Sequence, residues 1–226
     1  IVGSAPGEFK ADRNSIPRVW MDHGAWPLIT TKLYMDQTGD IHFLLRKQGY
    51  FRDHLHHRCQ MTDNQWAPDQ GTILKSSAGD VVEGSVLEHL LVQHLTAFFN
   101  VGEHNLIRLE GGDWNDGLDM AVERGESVAF SAMYAGNMRI LSDLCLELYK
   151  TGVEDLLLAE ELFPLLDQIS GPVDYDHVEE KQNHLQQYFN AVQGELSGGK
   201  LSINLVAISA DLKKKTVWLT DHIRTQ

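Results

Sequence analysis

Apolar side chains recur along most of the chain every three or four positions, the spacing that lines one face of an α-helix. Val86, Leu87, Leu90, Leu91, Leu95, Phe98 and Phe99 make one such stripe. Ser85, with Glu88 three positions on, supplies a capping box at its start, and Gly102 a stop at its end. Residues 128–149 predict a second helix, closed by Gly152. Residues 154–169 predict a third, kinked at Pro164, whose ring has no N–H for the helical ladder. Asp176 with Glu179 caps a fourth, with Val178, Leu185, Tyr188, Phe189 and Val192 on its inner stripe. Ser202 opens a fifth, with Leu205, Ile208, Leu212, Leu219 and Ile223 facing inward. Upstream, residues 26–35 and 41–50 read as two shorter helices hinged at Thr38, Gly39 and Asp40.

Alternation of period two is nearly absent; only residues 70–74 and 105–109 suit short strands. The pattern predicts an all-α fold of antiparallel helices joined by short turns. No repeat of fixed length, low-complexity tract or Pro/Gly/Ser-rich linker divides the chain, so residues 1–226 read as a single domain. Two stretches break the helical rhythm. Residues 52–84 are polar and His-rich. Residues 102–125 form a long connection with no helical pattern, and connections of that length inside a compact domain are usually functional.

Charge narrows the function classes. Nineteen Lys and Arg stand against 32 Asp and Glu, a formal net charge of −13 over 226 residues. Such a surface is unsuited to a phosphate backbone or an anionic membrane. No apolar run approaches the roughly 20 residues of a membrane-spanning helix. Cys59 and Cys145 are too few for a disulfide framework, which makes a reducing compartment the default. No metal site is expected: His54, His56, His57 and Cys59 lack a second ligand pair at standard spacing, and His89 and His94 diverge on their helix. No Gly-x-Ser-x-Gly elbow, phosphate loop or dinucleotide fingerprint occurs. Residues 213–215, three lysines, read as a short solvated helical face. The chain begins with Ile and carries neither a basic start nor an apolar signal core, which reads as an interior piece of a longer polypeptide.

Carboxylates crowd the second stretch at Glu110, Asp113, Asp116 and Asp119, among Gly111, Gly112 and Gly117. Like charges this close raise one another's pKa, and a carboxyl so raised holds a proton at neutral pH. A protonated carboxyl beside an aromatic ring suits acid-assisted cleavage of a glycosidic bond, with Trp114 offering its flat face to a sugar. The same residue types equally suit a set of Asx turns and helix caps. A calcium loop on Asp113, Asn115 and Asp119 fits worse, because Gly117 is out of register and no Glu stands at the twelfth position.

The run Gly111-Gly112-Asp113-Trp114-Asn115-Asp116-Gly117, followed by Arg124-Gly125-Glu126-Ser127-Val128, resembles the signature of glycoside hydrolase family 94, the inverting disaccharide and oligosaccharide phosphorylases. The stretches at Val86 to Leu90, Asn100 to His104 and Asp22 to Pro27 resemble the same family, in the same order. The wording around the motif, Arg108-Leu109-Glu110 before and Leu118-Asp119-Met120-Ala121 after, is most similar to the branch acting on β-1,2-linked glucans. The resemblance implies an (α/α)6 barrel, of which this chain would be a central segment completed by the rest of the same polypeptide. It implies Asp116 as general acid and Trp114 as a wall of the sugar subsite. Asp113 and Asn115 would brace the loop or bond sugar hydroxyls, and Asp22 would be a further sugar contact. The implied partners are an oligosaccharide and inorganic phosphate as co-substrate, with no cofactor, in the cytoplasm, where a sugar phosphate is retained. An Arg-Asp element at Arg52 and Asp53 resembles a sugar-binding element of the family but lies too near Asp116 to carry that role. The family's phosphate-binding residues fall beyond this chain.

Two other readings stay open at this stage. An inverting hydrolase on the same barrel would need a second carboxylate, Glu88 or Asp22, about 6.5–9.5 Å from the acid to hold the attacking water. A non-catalytic carbohydrate-binding segment would bind sugar without chemistry.

Overall fold

The computed structural model describes residues 22–52, 55–56, 61–109, 121 and 124–225. Helix α1 spans Trp26–Thr38, α2 Val86–Phe99, α3 Val128–Lys150, α4 Asp167–Ser170, α5 Val178–Gln193 and α6 Leu205–Thr225. Short strands come in antiparallel pairs: β1 (Lys47–Gly49) with β4 (Glu83–Ser85), β2 (Leu55–His56) with β3 (Met61–Thr62), and β5 (Asp155–Ala159) with β6 (Lys200–Asn204). The described chain is helix-dominated, in keeping with the helical periodicity, and its strands form only short two-stranded ladders.

The most extensive helix packing is between α3 and α6. They run antiparallel, since Ser142 meets Ser209 (Oγ to Oγ 2.8 Å) while Thr216 donates to Ala135 O (3.4 Å). Met138, Leu141, Leu144, Cys145 and Leu148 of α3 are buried with Ile208, Leu212 and Leu219 of α6. Phe98 and Phe99 of α2 are fully buried in the same core.

The structure departs from the periodicity at particular places. Residues 154–169 fold as β5, a 3-10 segment Glu160–Leu165 that contains Pro164, and the single turn α4. Pro164 takes an N–H from the ladder and disfavours helix for the residue before it. Upstream, Leu156 and Leu158 turn inward while Leu157 is 62% exposed, a period-two pattern satisfied by β6 in register Leu157↔Ser202. Ser202 is therefore a strand residue that donates to Asp155 Oδ2, and the cap of α6 is Asn204, whose Oδ1 accepts the Val206 amide. Residues 41–50 form a 3-10 turn, Ile41–Leu45, and then β1. The N-cap of α5 is His177, with no side-chain cap bond, and Asp176 instead accepts from the Trp218 indole. Residues 70–74 and 105–109 make isolated bridges rather than strands.

Lys215 is a further correction, for it is fully buried between Asp167 and Asp211, while Lys213 and Lys214 face solvent. Burial pushes the Asp167 carboxyl up, and the Lys215 ammonium and the Tyr175 hydroxyl more than reverse this, leaving it below its usual range.

Candidate active site

Asp113, Trp114, Asn115 and Asp116 lie outside the described residues, as do Glu110, Asp119 and the flanking glycines 111, 112 and 117. What the structure describes is the neck from which that stretch leaves and to which it returns. Val101 bridges Ile107, and Arg108 bridges Glu126. The Leu109 amide donates to Gly125 O (2.8 Å) and the Ser127 amide to Ile107 O (2.9 Å). The Ile107 amide donates to the hydroxyl of Ser131, one turn into α3 (3.0 Å). The described residues on either side of that stretch thus meet at the N-terminal end of α3, where Ser127 Oγ accepts the Phe130 amide as cap.

Asp22 comes to the same end of α3. Its turn packs at Gly24 against Tyr134, so closely that a Cβ there would stand 2.6 Å from the phenolic oxygen. Ala25 O accepts from Asn137 (3.3 Å). Ser131 and Tyr134 are three positions apart on one helix face, neighbours at about 5–6 Å between Cβ atoms. Asp22 Oδ2 accepts the Trp26 indole N–H (3.0 Å), while Oδ1 is buried with no partner among the described residues. Trp26 itself, 48% exposed, presents its ring to solvent.

Glu88 belongs elsewhere. Its amide takes the Ser85 hydroxyl as a cap (3.0 Å), but its side chain does not return to complete the capping box. It is fully buried, accepting from Tyr50 OH (2.7 Å), Lys200 Nζ (3.1 Å) and the Ala159 amide (3.2 Å). Burial, and then the Glu88 charge, push the Tyr50 hydroxyl well above its usual range, so it remains a donor. A carboxylate sealed among three donors has no room for an attacking water, so Glu88 is not placed to act as a hydrolase base.

The histidines with described side chains in α2 are packing residues. His89 Nε2 lies 3.1 Å from Gln48 O and its ring sits on Tyr50. His94 Nδ1 donates to Leu90 O (2.7 Å) and its Nε2 accepts from Asn137 (3.1 Å). No group of three His, Cys, Asp or Glu among the described residues is arranged to hold a metal ion. Cys145 is a buried thiol, pushed up to about 12 by burial. No described helix is long and apolar enough to cross a membrane. His54, His57 and Cys59 lie outside the described residues.

Sequence reasoning passed over two neck residues. Asn105 sits in the left-handed region at φ 61°, buried, with Nδ2 donating to Tyr175 O and Oδ1 accepting from Lys181. Glu126 was visible only as a flank of the motif.

The resemblance found in known proteins is to a phosphorylase. Over 160 residues, 70% of its length, the chain is 27% identical to the solabiose phosphorylase of Paenibacillus borealis, and it spans 17% of that relative's length. No family model matches the chain.

Proposed function

We propose that this chain is the acid-bearing part of an inverting oligosaccharide phosphorylase of the family 94 type, within an (α/α)6 barrel. The observation that carries the reading is the Gly111-to-Gly117 motif in a chain similar to a phosphorylase. Asp116, protonated, gives its hydrogen to the interglycosidic oxygen of a β-linked gluco-oligosaccharide. Phosphate attacks the anomeric carbon from the opposite face, the C–O bond to the acceptor breaks, and α-glucose 1-phosphate leaves with the shortened saccharide. Phosphate is already a nucleophile at neutral pH, so no second carboxylate is needed to activate it. Trp114 walls the sugar subsite, and Asp113 and Asn115 brace the segment or bond hydroxyls. Asp22 offers a sugar hydroxyl its Oδ1, the acceptor without a partner among the described residues. The co-substrate is inorganic phosphate with no cofactor, the setting is cytoplasmic, and β-1,2-linked glucans are the favoured substrates.

The test is incubation of the full-length enzyme with sophorose, cellobiose or laminaribiose plus phosphate. α-Glucose 1-phosphate from sophorose is the expected product. Free glucose released at the same rate without phosphate replaces this reading with the hydrolase, and no turnover of any of the three overturns it. Asp116→Asn should lower turnover about 10²–10⁴-fold while leaving saccharide binding, measured calorimetrically, within a few-fold. Equal activity in that variant removes Asp116 as the acid.

A further inference from the structure

Glu126 stands on the returning side of the neck, and its carboxylate reaches across to the outgoing side. Oε1 accepts the amides of His104 (3.1 Å) and Leu106 (2.9 Å). Oε2 accepts the His104 amide (3.0 Å) and meets the His104 ring at Nδ1 (2.7 Å). The Glu126 side chain is 7% exposed, while the His104 ring that it meets is open to solvent. Gly102 makes the reach possible, because a Cβ there would stand 2.5 Å from Glu126 Cγ and Cδ. Beneath the turn, Asn105 is held by Lys181 and Tyr175, and His222 Nε2 meets His104 O (2.9 Å). At the surface Arg124 pairs with Glu103, both well exposed, a contact worth little by itself.

We infer that Glu126 is a positioning residue: by binding the 104–106 turn it sets the spacing of the two neck strands, and through them the placement of the acid at Asp116. The inference rests on the phosphorylase reading. Its physical basis is that the backbone bridge at Arg108 and the carboxylate at Glu126 belong to one residue pair and its neighbouring turn. Loss of the carboxylate leaves two turn amides without this acceptor and frees the outgoing strand relative to α3. Acid catalysis is sensitive to such shifts, since a misplacement of about 1 Å costs about 10²-fold in rate. The charge is directed into the neck rather than toward a ligand, so hydrogen-bond geometry is what matters. Glutamine reproduces much of it, with Oε1 accepting both amides and Nε2 donating to His104 Nδ1 in its other tautomer.

The experiment uses the full-length enzyme and compares wild type with Glu126→Ala, Glu126→Gln and Gly102→Ala. Turnover and KM are measured well below each variant's unfolding midpoint, alongside amide hydrogen exchange over residues 103–109. Glu126→Ala and Gly102→Ala should lose about 10–100-fold in kcat with KM within about threefold, and exchange faster at 104 and 106. Glu126→Gln should stay within about threefold of wild type in kcat. Wild-type kcat in Glu126→Ala with faster exchange overturns the inference and leaves the phosphorylase reading intact. Equal losses in the Ala and Gln variants also overturn it, by pointing to the charge. Should Glu126→Ala fail to fold, Gly102→Ala and Glu126→Gln decide the question. A wild-type enzyme that forms no sugar phosphate defeats the underlying reading instead.

Discussion

His94 joins two helices to the Asp22 turn through one ring. Its Nδ1 proton is committed to Leu90 O, so Nε2 must be the bare acceptor that faces Asn137, whose amide also donates to Ala25 O. Protonation would set N–H against N–H in a fully buried site. Burial accordingly lowers the His94 pKa from 6.5 to about 4, and burial lowers His89 to about 4 as well. The unfolded chain binds these protons at a higher pH than the folded one. Folding stability is therefore full above pH 6.5 and falls as the pH drops toward 4. For His94 the slope is about 1 kcal/mol per pH unit in that window. Urea unfolding at pH 7.5, 5.5 and 4.5 should show the decline. His94→Gln, which keeps an acceptor for Asn137 but does not titrate, should make the decline shallower and leave the part due to His89.

Helix starts divide into those that local chemistry makes and those that tertiary partners make. Ser85 and Ser127 each accept the amide three residues on, at 3.0 and 3.1 Å. Replacing a serine cap by alanine costs about 1 kcal/mol. Ser127→Ala should lower stability by about that amount and, because Ser127 is also the neck residue whose amide meets Ile107 O, should speed exchange at 107–109. Ser85→Ala should match it in denaturant midpoint without that local change. Strands β5 and β6 show the opposite case. Residues 155–159 carry three consecutive leucines and would satisfy a helix stripe, but their ladder partner lies at 200–204. A window of a dozen residues does not contain that partner, so the periodicity reads helix where the chain folds strand.

Among the described helices, the largest seam is α3 against α6, and a charged cluster flanks it between the Ser142–Ser209 and Ala135–Thr216 contacts. Lys215 of α6 is fully buried between Asp211 of the same helix and Asp167 of α4, with Tyr175 OH donating to both Asp167 oxygens at 2.8 and 2.9 Å. The Gln168 amide donates to Asp211 (3.0 Å). A triad of this kind is a weak source of net stability but a strong constraint, since removing one partner strands the others. Lys215→Met leaves two carboxylates together in the interior and should destabilise by about 3–5 kcal/mol, read from urea unfolding at pH 7.5. Part of that loss should return at low pH, where the stranded carboxylates take up protons.

Much of the helical architecture was written in local spacing. The cores of α2, α3, α5 and α6 follow their apolar stripes because a buried face repeats every 3.6 residues whatever it packs against. The motif at residues 111–117 is likewise legible as a string, and with it the proposed chemistry. Local pattern carries no record of distant partners, and that is where the folded chain decided. Lys215 reads as solvated by its neighbours and is buried by Asp167, 48 positions away. Glu88 reads as half of a capping box, and Lys200 and Tyr50 draw it inward instead. Glu126 reads as a flank, and only the approach of the 104–106 turn makes it the clasp of the neck. In each case a charged or hydrogen-bonding group must find its complement once water is excluded, and which complement it finds depends on contacts that tertiary packing alone creates.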